Sequence, residues 1–205
     1  MELDYVKKVS EIVIALDKTQ TNQSVAHRLD HIRRVLSWKT FISQKLIASG
    51  EKVDLEILDI AVWLHDIRQP HNEEKSLHVA GSATKAREIL ESINYPEDRI
   101  QRVLKAISQH SSEVINAPDT IEAKILYDAD KLDGFGATGI VRVFMLCGQL
   151  GISVAEAVEW YIRKIAKAIP FLQTEIAKQI VREKEEYVNS FFEQFKREQE
   201  FLEAI

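Results

Sequence analysis

Ala61-Val62-Trp63-Leu64-His65-Asp66-Ile67 is an apolar helical run that ends by delivering an imidazole and a carboxylate side by side. Polar groups of that kind in a hydrophobic stretch need a partner, and a divalent metal serves both at once. Working upstream, Asp54 is placed to cap this helix, and Ile57, Ile60, Ala61 and Leu64 form its inward face. Downstream, Pro70 forces a break.

Helical spacing of apolar residues extends in both directions. Only seven glycines and four prolines punctuate 205 residues, and strand signals are nearly absent. A first helix is expected over about 3–16, with Val6, Val9, Ile12, Val13 and Leu16 on one stripe. Asn22 or Ser24 would cap a second, which carries His27, His31 and Val35 at four-residue steps and closes at Gly50. A helix over about 74–92 puts His78, Ser82 and Lys85 on one side, and Tyr95-Pro96-Glu97 opens another that runs out at His110. Pro118-Asp119-Thr120 starts the helix leading to Leu132; Gly134, Gly136 and Gly139 then allow a tight turn. Ser153 caps a further helix, and a long amphipathic one over about 171–203 closes the bundle. The expected fold is all-α, a single-domain helical bundle over 1–205, its core at about 24–200 and the two terminal helices packed on it.

A hydrophobic content of 45% over this length supports one well-buried core. The net charge of −5 and a pI near 5.7 disfavour broad nucleic-acid binding and point to a small-molecule partner. The one cysteine, Cys147, has no disulfide partner and sits among Phe144, Met145 and Leu146 as a buried thiol would, which fits a cytoplasmic setting. No signal-peptide pattern and no bilayer-spanning apolar run is present, so a soluble protein with no membrane contact is expected.

His31 precedes the His65-Asp66 doublet and Asp130 follows it, in Tyr127-Asp128-Ala129-Asp130-Lys131-Leu132-Asp133. With this ordered set the chain resembles the HD-domain superfamily of metal-dependent phosphohydrolases, and in particular its small stand-alone members. The likeness extends through His78-Val79-Ala80-Gly81, His110-Ser111 and Gly134-Phe135-Gly136-Ala137-Thr138-Gly139, covering about 24–200. It implies a metal site between helices with His31, His65, Asp66 and Asp130 as ligands. Helical spacing alone leaves Asp130 and Asp133 on similar sides, with Asp128 about 200° away from Asp130; the family pattern assigns the metal to Asp130. Asp133 then reads as a brace or a helix cap, and Asp128 as structural. Related sequences often carry an acidic residue where this chain has Arg28, which leaves the role of the His27 region open.

Two imidazoles and two carboxylates suit manganese, iron, nickel, cobalt, zinc or magnesium without choosing among them. The resemblance implies hydrolysis of a phosphoester on a nucleotide or another small phosphorylated metabolite. Asp66 would orient water, and His78 or His110 would move a proton, ligate a second ion or meet substrate phosphate. His27 would line the cavity mouth or serve structure, and His71 would face solvent. Arg34, Lys131 and Arg142 are the candidates for phosphate, against salt bridges to Asp30, Asp133 or Glu122. Two alternatives stand beside this reading: an HD-fold di-iron oxygenase, which needs the larger histidine set, and a non-catalytic nucleotide-sensing module. The C-terminal aromatic stripe would pack internally or form a homodimer.

Overall fold

A computed structural model describes residues 4–19, 28–68, 75–111 and 117–203, apart from the side chains of 75–78 and 202–203. Among the described residues the secondary structure is helical throughout, as the spacing predicts: α1 (Tyr5–Thr19), α2 (Leu29–Ala48), α3 (Leu55–Leu64), α4 (Lys75–Ser92), α5 (Glu97–Ser108), α6 (Ile121–Asp133), α7 (Ala137–Gln149), α8 (Val154–Ala168) and α9 (Glu175–Glu203). No helix among these residues is long and apolar enough to cross a membrane.

Helix α3 is the centre of the bundle. Ile57, Leu58, Ile60, Ala61, Val62 and Leu64 are all buried, so it is apolar on nearly every side and must be enclosed. Helices α1, α2, α4, α5 and α6 all pack against it. Truncating Ile60 or Leu64 to Ala would cost about 2–5 kcal/mol, because each fills space that its neighbours cannot fully collapse into. The ends of α3 are held by chemistry rather than packing. Asp54 caps the start, its Oδ1 accepting from the Ile57 N–H at 3.2 Å.

Helix α2 lies along α6, the pairing that brings its first turn to the last turn of α6. It ends as the sequence predicts: Gly50 takes φ +98°, while the Gly50 and Glu51 amides donate to Ile47 and Leu46. Its start is shorter than expected. It begins at Leu29 after Arg28, which makes no side-chain cap, and the expected caps Asn22 and Ser24 lie outside the described residues, as do His27 and His71.

The glycines after α6 are required by close approach. Gly136 adopts φ +85°, and a Cβ on Gly139 would come within 2.1 Å of the Gly134 carbonyl oxygen. This turn sends α7 away from α6 and lets α8 and α9 return over it. Helix α9 begins at Glu175, after a short 3₁₀ turn at Ile169–Phe171, somewhat later than the expected start. Its first residues are fixed by Asp128 of α6, whose carboxylate accepts from the Gln173 amide at 2.8 Å and from the Thr174 amide and hydroxyl at 2.7 Å each. The aromatic stripe of α9 divides: Phe191 and Phe192 pack on the core, whereas Tyr187 and Phe201 are exposed.

Candidate metal centre

Three histidines are oriented by their Nδ1 atoms. His65 follows the last residue of α3, where the final carbonyls have no helical partner, and its Nδ1 lies 2.8 Å from the Val62 oxygen. His110 repeats the device at the end of α5, with Nδ1 2.6 Å from the Ile107 oxygen. A carbonyl only accepts, so each Nδ1 carries the proton and each Nε2 presents a lone pair. His31, in the first turn of α2, directs Nδ1 to Asp133 Oδ2 at 2.7 Å, and its Nε2 likewise turns inward.

These Nε2 atoms meet carboxylates rather than donors. His31 Nε2 lies 3.3 Å from His65 Nε2, 3.6 Å from Asp66 Oδ2 and 3.5 Å from Asp130 Oδ1. His65 Nε2 is 3.4 Å from the same Asp66 oxygen. One donor atom from each of His31, His65, Asp66 and Asp130 lies within 4.8 Å of all the others. Bonds of about 2.0–2.2 Å to a shared ion set neighbouring donors roughly 3.0–3.6 Å apart, so the four fit a divalent cation. His110 stands alongside, its Nε2 3.4 Å from Asp66 Oδ1 and its ring edge-on to His65.

The electrostatics follow from this convergence of electron pairs. Burial pushes the His65 imidazole down to about 4, which keeps it in the form that ligates metals. His31 moves the other way. Burial and Arg142 pull it down, but the hydrogen bonds to Asp133 and Asp66 and the charge of Asp130 outweigh them and hold it above its usual value. A proton on His31 is the nearest substitute the chain has for the cation its acceptors surround. Asp130 stays far below the usual carboxylate range against its burial, through Lys131 and the two histidines.

Asp133 binds the far side of this arrangement together. Besides His31 it accepts from Arg34 Nε at 2.6 Å and Arg142 Nη1 at 2.7 Å, and Arg34 also reaches Asp30 at 2.6 Å. Lys131 lies 2.7 Å from Asp130 Oδ2 and over the Tyr127 ring. Arg34 and Arg142 therefore make the salt bridges to Asp30 and Asp133 that their alternative names, whereas Lys131 pairs with Asp130, a partner that alternative did not include. Asp128 faces α9 instead. His78 is in the first turn of α4, and its side chain lies outside the described residues.

Two lysines stand against the glycine segment beside Asp133, and neither is singled out by the sequence. A Cβ on Gly136 would lie 3.1 Å from Lys184 Cδ of α9, and one on Gly134 would lie 3.2 Å from Lys164 Nζ of α8. Lys184 Nζ sits 4.3 Å from the Trp38 ring centre. In the sequence both are ordinary charges on amphipathic helices; only the chain's return over the glycines brings them here.

The HD-domain family matches residues 28–134, which contain all four of the converging ligands. The Bacillus subtilis protein YpgQ is 25% identical over 201 residues, 94% of each chain. A structure of YpgQ in complex with ADP superposes with a TM-score of 0.67 at 23% identity, covering 92% of this chain and 97% of that one. A structure of an HD-superfamily hydrolase from Bacillus thuringiensis gives a TM-score of 0.69 at 26% identity, covering 95% and 96%.

Proposed function

The chain belongs to the HD-domain family, and from that premise we propose that it is a metal-dependent phosphohydrolase cleaving a phosphoester of a nucleotide or another small phosphorylated metabolite. The observation that carries this reading is the inward convergence of two Nε2 lone pairs and two carboxylates, each imidazole being fixed by a proton on its opposite nitrogen. His31, His65, Asp66 and Asp130 would hold the ion, whose identity the donor set leaves among manganese, iron, nickel, cobalt, zinc and magnesium. When bound, a divalent ion supplies polarisation of a phosphoryl oxygen and acidification of water.

The chain's own residues do the rest. Asp66 turns one oxygen toward the ligand cluster and the other toward His110, so this carboxylate would ligate the ion and orient water beside it. His110, its Nδ1 proton held by Ile107, would use Nε2 to take a proton from water or return one to the leaving group. Asp133 fixes the His31 tautomer and so the direction of its lone pair. Arg34, the more exposed of the two guanidiniums on Asp133, and Lys131 at Asp130 would meet phosphate oxygens, with Arg142 as a further candidate from its place on Asp133. The ADP bound by YpgQ supports a nucleotide as the substrate class. The closed-shell, cysteine-rich chemistry of purely structural metal sites is not what these residues provide.

The test is metal analysis of protein purified without chelator, joined to a panel of phosphatase, nucleotidase and phosphodiesterase substrates. We expect one divalent ion per chain at this centre, turnover that chelation abolishes and re-addition restores, and loss of both metal and turnover in His65→Ala. Full turnover in well-folded His65→Ala would reject the proposal. Ligand-induced thermal shifts without product across the panel would favour a sensing module instead.

A further inference from the structure

Resting on the metal-ligand reading above, we infer that Ser82 of α4 is a positioning residue for the metal centre, holding the backbone of the 65–68 turn in the setting that directs the Asp66 carboxylate. Asp66 lies beyond the end of α3, where helical hydrogen bonds no longer fix the chain. Upstream, the turn is tied to α3 itself, by the His65 ring on the Val62 oxygen and by the Ile67 amide, which donates to Leu64 at 3.2 Å. Downstream, it is tied to another helix. The Arg68 amide donates to Ser82 Oγ at 3.2 Å, and the Ser82 hydroxyl donates back to the Arg68 carbonyl at 3.4 Å. A hydroxyl has one proton to give and lone pairs to receive, so a single serine serves both backbone groups of one residue.

Helix formation in α4 does not call for this serine. Inside a helix, a serine or threonine hydroxyl ordinarily faces water or bonds back to the carbonyl four residues earlier. Thr84, two residues on, is exposed and does the latter, donating to the Ala80 oxygen at 3.0 Å. Ser82 is fully buried and reaches across to the turn instead. Gly81 beside it makes room. A Cβ there would lie 3.1 Å from Arg68 Cδ, so successive residues of α4 receive the stem and the backbone of the same arginine.

Two residues before that arginine, Asp66 has to face two ways. Its Oδ2 stands 3.4 Å from His65 Nε2 and 3.6 Å from His31 Nε2, while its Oδ1 stands 3.4 Å from His110 Nε2. His110 follows the end of α5, and α5 is the main packing partner of α4. The pair α4 and α5 therefore governs both sides of the contact between Asp66 and His110: His110 directly, and Asp66 through Ser82 and Arg68. Ile67 is buried in the core and keeps the turn folded, so loss of the Ser82 hydroxyl would loosen the aim of Asp66 without unfolding the segment.

Titration of the metal-free protein with Co2+ tests this, because the visible absorption of bound Co2+ reports the number and arrangement of its ligands. Ser82→Ala should bind Co2+ at least about tenfold more weakly than wild type, in keeping with the loss of outer support for a ligand, and with an altered absorption band. Alanine is the better helix former, so the loss would not come from α4 as a helix. Ser82→Thr, which keeps the hydroxyl, should recover most of both signals. Ser82→Cys fills the space and only weakens the two bonds, so it should fall between, and a poorly folded alanine variant would not block the test. Thr84→Ala, which removes the neighbouring hydroxyl that bonds only within α4, should match wild type in both. Wild-type Co2+ affinity and absorption in the alanine and cysteine variants, whatever their melting temperatures, overturn the inference and leave the hydrolase reading standing. A cobalt site that depends on Ser82 in a protein that turns over no phosphoester supports the inference and sinks the hydrolase reading.

Discussion

Each end of α3 carries a polar cluster, and the two are built on opposite principles. At the N-terminal end Asp54 meets Arg99 at 3.0 Å and Arg102 at 2.8 Å, Glu56 meets Arg99 at 2.9 Å and the Tyr95 hydroxyl at 2.8 Å, and Glu122 accepts from the Asp54 amide at 2.9 Å. Acids and bases alternate there, and the cluster is complete within the chain. At the C-terminal end, His65 and Asp66 join His31 and Asp130 so that acceptors face acceptors. The first arrangement braces α3 against α5 and α6. The second gathers lone pairs that a divalent cation would neutralise. Density of charged residues does not distinguish a site from a scaffold; the balance of donors and acceptors does.

The sharpest way to break this comparison is to remove one acceptor from the unbalanced end. Asp130→Asn keeps the shape of a side chain that is 16% exposed and takes away its charge. We expect metal affinity and turnover to fall by well over about 100-fold, more than loss of an outer partner of a ligand typically costs. Retention of metal by this variant would mean that the ligand oxygen comes from elsewhere. A smaller effect is expected one layer out. Asp133→Asn leaves the four ligands in place but frees the His31 tautomer, so metal affinity should drop by about 10–100-fold. Melting of the metal-free variant would separate this from the added cost of leaving Arg34 and Arg142 without their buried carboxylate. If metal affinity held at the wild-type level, Asp133 would be scaffold alone.

Much of this was legible in the sequence, for identifiable reasons. Caps announce themselves locally: Asp54, Thr120 and Ser153 each stand before an apolar run, and each accepts from a backbone amide three residues on. The His31, His65-Asp66 and Asp130 series is readable because the family's motif retains its order, although these residues come from three separate helices. What stayed hidden depends on tertiary geometry. Nothing in the periodicity of α8 or α9 separates Lys164 and Lys184 from the other lysines of those helices. The readings of Arg34 and Arg142 as phosphate ligands or as salt-bridge partners were equally open, because the sequence does not reveal that both reach one buried aspartate. Asp128 and Asp130 differ in role through the helical rotation of two residues, and there spacing was informative: one holds Thr174, the capping residue of α9, and the other faces the histidines.

The balanced end supplies the smallest and most discriminating prediction. Asp54→Ala removes a helix cap together with the acceptor of two arginines, which should lower folding stability by about 1–2 kcal/mol. The side chain is only partly buried, so solvent screening keeps the ion-pair share of that loss modest. Burial works against ionisation of Asp54, but the Ile57 amide and the two arginines outweigh it and hold the carboxyl below its ordinary 3.8. A folded-state pKa below the unfolded one means that this contribution is present in full above the unfolded value and disappears as pH falls through the folded one. The wild type and Asp54→Ala should therefore differ in melting temperature at neutral pH and converge in acid. Metal affinity and turnover at neutral pH should match the wild type, because charges that pair with one another at one end of α3 leave no demand at the other. A change in metal affinity in this variant would show that the two ends are coupled through the helix, and the division into scaffold and site would then give way to one continuous network.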